Sequence, residues 1–401
     1  MSRRLQGQDW LTAPATRAVM AALAAAGGPD CARFVGGCVR NALIGAPIDD
    51  IDIATTLTPD AVVAALKAAG LRSVPTGIEH GTVTAISEHQ PFEITALRRD
   101  VSTDGRRATV AFTTDWAEDA GRRDFRLNAL YADAEGVILD PTGLGFDDAV
   151  AGRIVFVGEP EGRIREDYLR ILRFYRFYAW YGRGEPDAAA VAACAALAEG
   201  VEQLSAERVS KELLKLLGAP DPRPAVRLMD QASVLERVLR QPVELALFEA
   251  MTELSGDAVL RLSALLPDDP AGVAAVARAL RLSNAQRRRL VEAVAGQATT
   301  TLTDSQARAV VYSDGRQAFE DRVMRAWAAG GDPEAAQRLL ALSKDWTLPT
   351  MPVGGRDLVR LGLKPGPETG RVLKAFEAGW IADDFPDHGH DDRLRALLPP
   401  A

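Results

Sequence analysis

The chain has 401 residues, of which 47% are hydrophobic, so it is long enough for two or more domains with sizeable cores and is not disordered. Its formal net charge of -8 does not indicate a nucleic-acid-binding protein, so any such binding must depend on local charge. The absence of an apolar run of roughly 18 residues argues against a membrane span. The three cysteines show neither pairing nor metal-ligand spacing, which predicts a reducing, cytoplasmic location.

The first predicted elements lead into a glycine pair. Residues 15–26 are small and predict a helix, and residues 31–35 predict a strand. That strand breaks at Gly36 and Gly37, and a helix-like stretch follows. A helix start has free backbone N–H groups that favour phosphate, so this turn is a candidate phosphate site.

A carboxylate pair follows in the segment DDIDIATT. In a strand, Asp50 and Asp52 point the same way, while Ile51 and Ile53 point into a core. Two carboxylates on one face repel unless a cation lies between them. Mg²⁺ takes oxygen ligands and keeps open positions for phosphate oxygens. The glycine pair, helix and acidic strand together predict a metal-dependent site for a nucleoside triphosphate, whereas Asp-x-Asp alone is more often an exposed strand edge.

The next segments predict a small mixed sheet with helices. Residues 58–70 begin with Thr-Pro-Asp and predict a helix, and residues 83–87 and 91–97 predict strands. Glu93 lies in the last of these strands between apolar neighbours. It is either a solvent-facing residue or a third ligand beside the aspartate pair, and we favour the ligand.

A loop and a charged segment come next. Residues 98–115 lack clear apolar periodicity and contain an Asp-Gly turn signal, so we expect a mobile loop beside the site. In the following GRRDFRLNA, the charges are either a solvated helix start or a nucleotide site. In the second interpretation Arg123 meets a triphosphate, and Asp124 and Asn128, one helical turn apart, face one ligand. Residues 130–139 predict a hairpin.

From residue 153 onward strand signals largely vanish and the pattern predicts helices. Residues 163–181 are strongly periodic and predict one helix with an apolar stripe. A basic surface is expected on its other side, formed by Arg165, Arg170, Arg173 and Arg176. Residues 218–224, GAPDPRP, are rich in turn residues and are a plausible domain boundary.

A second basic group lies further along the chain. Its members are Arg278, Arg281, Arg287, Arg288 and Arg289. One basic stripe usually marks a solvated helix face, but two in an otherwise acidic protein suggest a track for a phosphate backbone. His388 and His390 near the end have no partner spacing, which predicts solvated side chains.

In this order the motifs GGCVRN, DIDIAT, HGTV, FEIT, RRDFRLNAL and REDYLRILRFYRF resemble the class II tRNA nucleotidyltransferases, the CCA-adding enzymes that share a superfamily with bacterial poly(A) polymerases. The motif-bearing part spans residues 34–217. The resemblance implies an elongated, multi-domain fold with an α/β head (1–150) that holds a small mixed β-sheet. An all-α neck (151–218), body (219–346) and tail (347–401) follow it.

The resemblance also implies roles for individual residues. Two Mg²⁺ ions would be held by Asp50 and Asp52, with Glu93 as the third carboxylate. Nucleotide binding would fall to Gly36, Gly37, Arg40, Arg123, Asp124, Asn128, Asp167, Arg170, Arg173 and Arg176. The substrates would be CTP, ATP and the acceptor end of tRNA, and the arginines of residues 278–289 would contact RNA. The implied reaction is in-line attack of the tRNA 3′-OH on the α-phosphorus, with release of pyrophosphate.

Within REDYLR, the residues that align with the family's base-selecting pair are Asp167 and Arg170. At i, i+3 on the predicted helix both side chains would reach one spot, where Asp accepts and Arg donates hydrogen bonds. Cytosine and adenine each present an amino donor beside a ring-nitrogen acceptor, and uracil and guanine present the reverse order. The pair would therefore admit C and A without a template. A structural salt bridge is the alternative.

Two departures from the family pattern are Asn41, where the family usually has Asp, and Arg126, where it usually has Thr. Among other functions, a poly(A) polymerase and an A-only tRNA enzyme share the superfamily. Residues 382–401 hold five Asp and two Arg, so the basic tail common in poly(A) polymerases is not expected. A sugar transferase that uses Asp-x-Asp gives no reason for the RRDF and REDYLR segments, and intact aspartates argue against a non-catalytic relative.

Overall fold

The structure, a computed structural model, describes residues 3–77, 81–104, 107–296 and 300–398. The chain divides into two compact units, Met1–Gln241 and Pro242–Ala401. The four-part division at residues 150, 218 and 346 stays a prediction. Residue His80 of the HGTV motif and the Gly105 of the expected turn lie outside the described residues. Across the described ranges no helix is long and apolar enough to cross a membrane.

The first unit contains the strands. They are β1 (Ala32–Val35), β2 (Asp52–Thr55), β3 (Arg72–Gly77), β4 (Thr82–Ser87), β5 (Gln90–Ala96), β6 (Arg98–Asp104), β7 (Arg107–Phe112), β8 (Tyr131–Ala132) and β9 (Ile138–Leu139). Seven of them form one mixed sheet in the order β3-β4-β5-β2-β1-β8-β9. Strand β2 pairs parallel with β5 and antiparallel with β1, which places β2 near the middle of the sheet.

The expectation of a mobile loop at residues 98–115 is wrong, because strands β6 and β7 pair antiparallel as a separate ribbon. The register matches Arg98 with Phe112 and Asp104 with Arg107. The sequence signal was present in the β-branched residues on both sides of the Asp-Gly, a combination typical of hairpins. Strand β3 was also missed.

The helices of the first unit surround and follow the sheet. They are α1 (Asp9–Thr12), α2 (Pro14–Gly27), α3 (Gly37–Ile44), α4 (Pro59–Ala68), α5 (Trp116–Gly121), α6 (Gly145–Ala151), α7 (Pro160–Glu166), α8 (Leu169–Tyr181), α9 (Ala188–Ala196), α10 (Ala206–Leu217), α11 (Arg223–Gln231) and α12 (Val234–Leu239). Helix α4 begins as predicted, since the Thr58 side chain accepts from the Ala61 amide and Pro59 occupies the first turn.

An aromatic cluster packs the sheet-bearing region against helix α8. The Phe125 ring lies 4.9 Å from the Phe156 ring and 5.0 Å from the Phe177 ring, and Phe174 stacks on Phe156 at 6.0 Å. All four side chains are buried. Because aromatic side chains bury large apolar areas, this cluster fixes the RRDF segment beside α8.

The described part of the second unit is helical. Its helices are α13 (Leu245–Leu254), α14 (Ala258–Leu265), α15 (Pro270–Ala279), α16 (Asn284–Val294), α17 (Asp304–Asp314), α18 (Arg316–Ala328), α19 (Pro333–Asp345), α20 (Gly355–Arg360), α21 (Pro367–Ala382) and α22 (His390–Leu397). One core lies around Phe319 and Leu339, and another around Phe376 and Trp380.

Candidate active site

The glycine turn has the geometry that the sequence predicts. Strand β1 ends at Val35, and Gly36 takes φ 71° and ψ -119°, a conformation that residues with a side chain rarely adopt. Helix α3 begins at Gly37 and ends at Gly45, which is left-handed. The Gly36 amide donates to the Leu130 carbonyl at 3.2 Å. The N–H groups of the first turn of α3 are the ones that can favour a phosphate.

The two aspartates do not share a strand, because β2 begins at Asp52 and the exposed Asp50 lies before it. Their neighbours Ile51 and Ile53 are buried, in keeping with the expected alternation. Asp52 pairs in parallel register with Glu93 of β5. Paired residues of neighbouring strands present their side chains to the same face of a sheet, so these two carboxylates share a face.

The charges around Asp52 repel one another. Partial burial raises the pKa of Asp52 to about 6, the charges of Glu93 and Asp50 raise it further in the same direction, and only Arg123 opposes them. An ionised Asp52 is therefore unfavourable here without a positive partner. The three carboxylates act on one another electrostatically, which is the grouping that the resemblance implies.

The donor set fits magnesium, which prefers oxygen ligands and is usually held by one or two carboxylates together with phosphate oxygens. Asp50, Asp52 and Glu93 are the residues that could hold it. In the part of the chain that the structure describes, no three acidic, histidine or cysteine side chains already form a metal-binding group. The three carboxylates would have to draw together around an ion.

Arg123 is held in place by a buried carboxylate that the sequence did not single out. Its Nη2 lies 3.0 Å from Asp119 Oδ2, and the Tyr131 hydroxyl donates to the same Asp119 oxygen at 2.7 Å. Arg122 pairs with the other Asp119 oxygen at 2.6 Å. Burial raises the pKa of Asp119, but Arg123 and Arg122 outweigh it and hold that pKa below its usual range. A negative charge is thus stable there.

The free edge of Arg123 faces the glycine turn. A Cβ atom placed on Gly36 would lie 3.7 Å from Arg123 Nη1. The guanidinium is therefore anchored to Asp119 on one side and turned toward the start of α3 on the other. This is the arrangement that the triphosphate interpretation of Arg123 requires.

Arg40 does not lie where a triphosphate could reach it readily. Its side chain is only 6% exposed. Its Nη1 donates to Asn128 Oδ1 at 2.5 Å and its Nη2 to the Tyr181 hydroxyl at 2.8 Å. The guanidinium also lies 3.9 Å from the centre of the Tyr181 ring. The expected contact of Arg40 with phosphate is replaced by contacts with α8.

Asp124 and Asn128 meet as predicted, but through each other. Asn128 Nδ2 donates to Asp124 Oδ1 at 3.1 Å, and Arg173 Nε donates to Asp124 Oδ2 at 2.8 Å. Burial raises the pKa of Asp124, but the Arg173 guanidinium more than offsets this and holds the pKa at about 2. Both residues are nearly buried, so they support the site from below.

The predicted single helix at residues 163–181 is interrupted. Asp167 has extended backbone angles (φ -156°, ψ 105°) between α7 and α8, and its Oδ1 accepts from the Leu169 amide at 3.1 Å. Asp167 and Arg170 are therefore not i, i+3 on one helix. An aspartate that accepts from an amide at a helix start favours such a break.

The two predicted base-selecting side chains have different partners. Asp167 Oδ2 accepts from Arg208 at 2.6 Å, whereas Arg170 Nη1 pairs with Glu166 at 2.6 Å. Arg170 Nη2 also donates to the Arg122 carbonyl at 3.2 Å, so this side chain lies next to the RRD segment. The i, i+3 salt bridge that was the alternative is not among these contacts.

The expected basic surface of α8 is wrong for three of its four arginines. Arg170, Arg173 and Arg176 are each largely buried and paired with an acid, and Arg176 Nε lies 2.5 Å from Glu212. Only Arg165 among the four is mostly exposed, at 58% of its side chain. Buried charges need partners, and these partners lie far away in the sequence.

The two departures from the family pattern have structural explanations. Asn41 Oδ1 accepts from Arg40 Nη2 at 2.8 Å, and its Nδ2 donates to the Pro47 carbonyl at 2.6 Å, a donation that an aspartate could not make. Arg126 Nε lies 2.6 Å from Oδ2 of Asp148, which is fully buried in α6. Arg126 thereby fixes its turn to α6.

Several supporting residues escaped sequence reasoning, namely Asp119, Tyr131, Tyr181, Arg163, Arg208 and Glu212. Their roles depend on partners that are distant in the chain, as when Arg163 Nη2 donates to the Arg123 carbonyl at 2.8 Å. For Asp119 a signal existed, since it lies four residues before Arg123 on the same turn-rich segment.

In the second unit, the basic group divides into exposed and buried members. Arg278, Arg281, Arg287 and Arg288 are exposed. Arg289 instead pairs with Asp257 at 2.9 Å and with the buried Asp321 at 2.7 Å. The prediction that Arg289 contacts RNA is therefore wrong, because its guanidinium is used within the fold.

Comparisons with known proteins agree with this site. The Poly A polymerase head domain matches residues 32–155, and a family described as the probable RNA and SrmB-binding site of polymerase A matches residues 185–245. The chain is 32% identical over 388 residues to the mitochondrial CCA tRNA nucleotidyltransferase 1 of Homo sapiens, covering 87% of this chain and 82% of that protein. It is 31% identical to the CCA-adding enzyme of Levilactobacillus brevis, covering 89% and 91%.

A solved structure shares the fold. The Bacillus stearothermophilus CCA-adding enzyme in complex with CTP superposes with a TM-score of 0.76 at 24% identity, covering 96% of this chain and 98% of that one. The glycine turn, the acidic pair on β2 and β5 and the anchored Arg123 occur in a chain with this likeness over most of its length. The chain therefore belongs to the class II CCA-adding enzyme and poly(A) polymerase family of nucleotidyltransferases.

Proposed function

We propose that this enzyme adds C, C and A in turn to the 3′ end of tRNA, using CTP and ATP and no nucleic-acid template. The observation that carries the proposal is the parallel register of Asp52 and Glu93 beside the Gly36 turn, with Arg123 acting on Asp52. Carboxylates, a helix start and an anchored arginine in one place suit the transfer of a nucleotidyl group.

The triphosphate would bind between Arg123 and the start of α3. Asp119 and Tyr131 hold one edge of the Arg123 guanidinium, so little side-chain freedom is lost when phosphate oxygens meet the other edge. The N–H groups of the first turn of α3 add donors and the positive end of the helix dipole.

Two Mg²⁺ ions would be held by Asp50, Asp52 and Glu93. When bound, magnesium lowers the pKa of a ligated hydroxyl and stabilises the charge of the departing pyrophosphate. The residues of the chain supply the ligand oxygens and set their spacing through the β2–β5 register. Arg123 balances part of their negative charge.

The incoming base would be selected by Asp167 and Arg170. Both would have to exchange their present partners, Arg208 and Glu166, for the edge of a cytosine or adenine. The hydrogen bond from Arg170 to the Arg122 carbonyl places this arginine one residue from Arg123, as a base joined to a bound triphosphate requires.

The tRNA would be contacted in part by the exposed arginines of the second unit, Arg278, Arg281, Arg287 and Arg288. Exposed guanidinium groups on neighbouring helices suit the phosphate backbone of RNA. We place the enzyme in the cytoplasm, a location that its three buried free cysteines support.

Incorporation of labelled nucleotides tests this proposal. With a tRNA that lacks its 3′ CCA, purified protein is expected to add two C residues from CTP and then one A from ATP, and to stop. The superfamily alternatives give other products, since a poly(A) polymerase makes long adenylate tails and an A-only enzyme adds nothing until the tRNA already ends in CC. Either product would replace the proposed function.

A further inference from the structure

Arg40 links the glycine turn to the end of helix α8. It lies on the first turn of α3, and its amide donates to the Gly36 carbonyl at 3.0 Å. Its side chain reaches Tyr181, the last residue of α8, through a hydrogen bond of 2.8 Å and through the face of the ring. The Phe177 ring lies on the same guanidinium at 5.3 Å.

The contacts that the structure shows for Arg40 are all to neutral groups. Asn41 and Asn128 supply amide oxygens, and Tyr181 supplies a hydroxyl and a ring. A planar guanidinium can donate in several directions and stack at the same time, which a lysine ammonium cannot do. The link therefore depends on the shape of arginine and on Tyr181, more than on charge pairing.

A second link joins the same two regions nearer the start of α8. Asn128 accepts from Arg40 and donates to Asp124, which in turn accepts from Arg173 of α8. Helix α8 is thus held to the nucleotide-binding region at Arg173 and again at Tyr181. Two fixed points along a stiff rod determine its direction.

The lever arms are short enough to matter for base recognition. At ~1.5 Å per residue, Tyr181 lies ~12 Å beyond Arg173, and Leu169 lies ~6 Å before it. A shift of ~1 Å at Tyr181 about Arg173 would therefore move the start of α8 by ~0.5 Å. Arg170 and the adjoining Asp167 would move with it, relative to the triphosphate site at Gly36 and Arg123.

We infer that the contact between Arg40 and Tyr181 sets the angle of α8 relative to the glycine turn, and that Arg40 and Tyr181 are positioning residues for base discrimination. This inference rests on the proposed function, since it assigns the base to Asp167 and Arg170. It does not place Arg40 on the nucleotide. Loss of the contact is expected to affect which base is accepted, and to leave the binding of the triphosphate itself nearly unchanged.

The test compares CTP with UTP, two nucleotides of equal size that differ at the edge read by Asp167 and Arg170. Tyr181→Leu and Arg40→Lys are assayed on tRNA lacking CCA for kcat/KM with each nucleotide, and for the Kd of each by calorimetry with Mg²⁺. Because sub-ångström displacement of a reacting group has large kinetic effects, we expect the CTP preference to fall about tenfold while pyrophosphate inhibition stays within about twofold. Tyr181→Phe keeps the ring and is expected to lie between.

Arg126→Gln is the matched control. It makes the same type of change in the turn that carries Asn128, removes the ion pair to Asp148, and touches no part of α8. The CTP preference of this variant is expected to equal that of wild type. Should Arg40→Lys fail to fold, the half-buried Tyr181 variants decide the question alone.

Two outcomes overturn the inference. One is an unchanged preference for CTP in folded Tyr181→Leu protein, and the other is an equal loss of activity with CTP and UTP. In both cases wild-type protein still adds C and A, so the proposed function stands. Wild-type protein that adds neither nucleotide would remove the proposed function and the inference together.

Discussion

Asp52 and Glu93 lie opposite each other on neighbouring parallel strands, β2 and β5, with their carboxylates on one face of the sheet. No hydrogen bond or ion pair to another residue appears among the contacts described for either side chain, and each raises the cost of charging the other. The fold therefore holds acidic groups together at a cost in stability, which is common where function requires it.

The first prediction concerns Asp52 and pH. Its pKa is about 6 in the folded protein and near 3.9 when unfolded, so the folded state binds more protons between these values. The free energy of unfolding is expected to fall by about 2 kcal/mol as pH rises from 4 to 7 in a chelating buffer. Asp52→Asn should remove this loss and raise Tm at pH 8, but not at pH 4, while abolishing nucleotide transfer.

Magnesium adds a second readout to that experiment. An ion that binds only the folded state stabilises it in proportion to the logarithm of its concentration. Added Mg²⁺ should raise the Tm of wild type at pH 8 and leave that of Asp52→Asn unchanged. Equal shifts in the two proteins would show that Asp52 is not a ligand.

The second prediction compares the adjacent glycines. Gly36 has φ 71°, so Gly36→Ala is expected to cost about 1–3 kcal/mol from backbone strain alone, since no atom crowds the added Cβ. Gly37 begins the helix without such an angle, and Gly37→Ala should leave stability within about 0.5 kcal/mol. Chemical denaturation of both variants measures the difference, and equal stabilities would contradict the assigned turn.

The third prediction concerns Asp119, which anchors Arg122 and Arg123. Asp119→Asn leaves two partly buried guanidinium groups without their carboxylate and should cost about 3–5 kcal/mol. The KM for both CTP and ATP should rise together, because Arg123 loses its orientation.

Glu118→Gln on the same helix is the control for Asp119. Glu118 pairs with Arg99 at 3.6 Å in a half-exposed position, so its loss should cost under about 1 kcal/mol and leave KM unchanged. A KM in Asp119→Asn equal to that of the control would exclude the anchoring role.

The fourth prediction separates two neighbouring arginines of α16. Arg288 is 77% exposed, so Arg288→Ala should weaken tRNA binding and lower its dependence on salt by somewhat under one counterion, with stability unchanged. Arg289→Ala leaves the buried Asp321 charge unpaired and should cost about 3 kcal/mol. Filter binding at several salt concentrations and thermal melting measure the two effects. Similar effects of both changes would contradict the division of the basic group.

Local patterns predicted the elements that carry the site. The apolar alternation at Ile51 and Ile53 and the glycine pair after β1 depend on residues adjacent in sequence, and such signals are visible without the fold. The break at Asp167 was missed because α7 and α8 continue one apolar period across it. An aspartate two residues before Leu169 was the available sign of a new helix start.

The fate of the arginines could not be predicted from sequence. Whether Arg173, Arg176 or Arg289 is exposed depends on an acid that lies some distance away in the chain, such as Asp124, Glu212 or Asp321. Burial of a charge is possible only where the fold brings such an acid close. Composition and helical period contain no information about these pairs.

The parallel pairing of β2 with β5 has a consequence for synthesis of the protein. Parallel neighbours need a crossover, and here α4, β3 and β4 lie in the chain between them. A nascent chain that has emerged only as far as β4 contains Asp52 without Glu93, so it has no complete acidic face. Competence for metal-dependent chemistry thus arises only after the crossover has closed, and truncated translation products that end before β5 are inert.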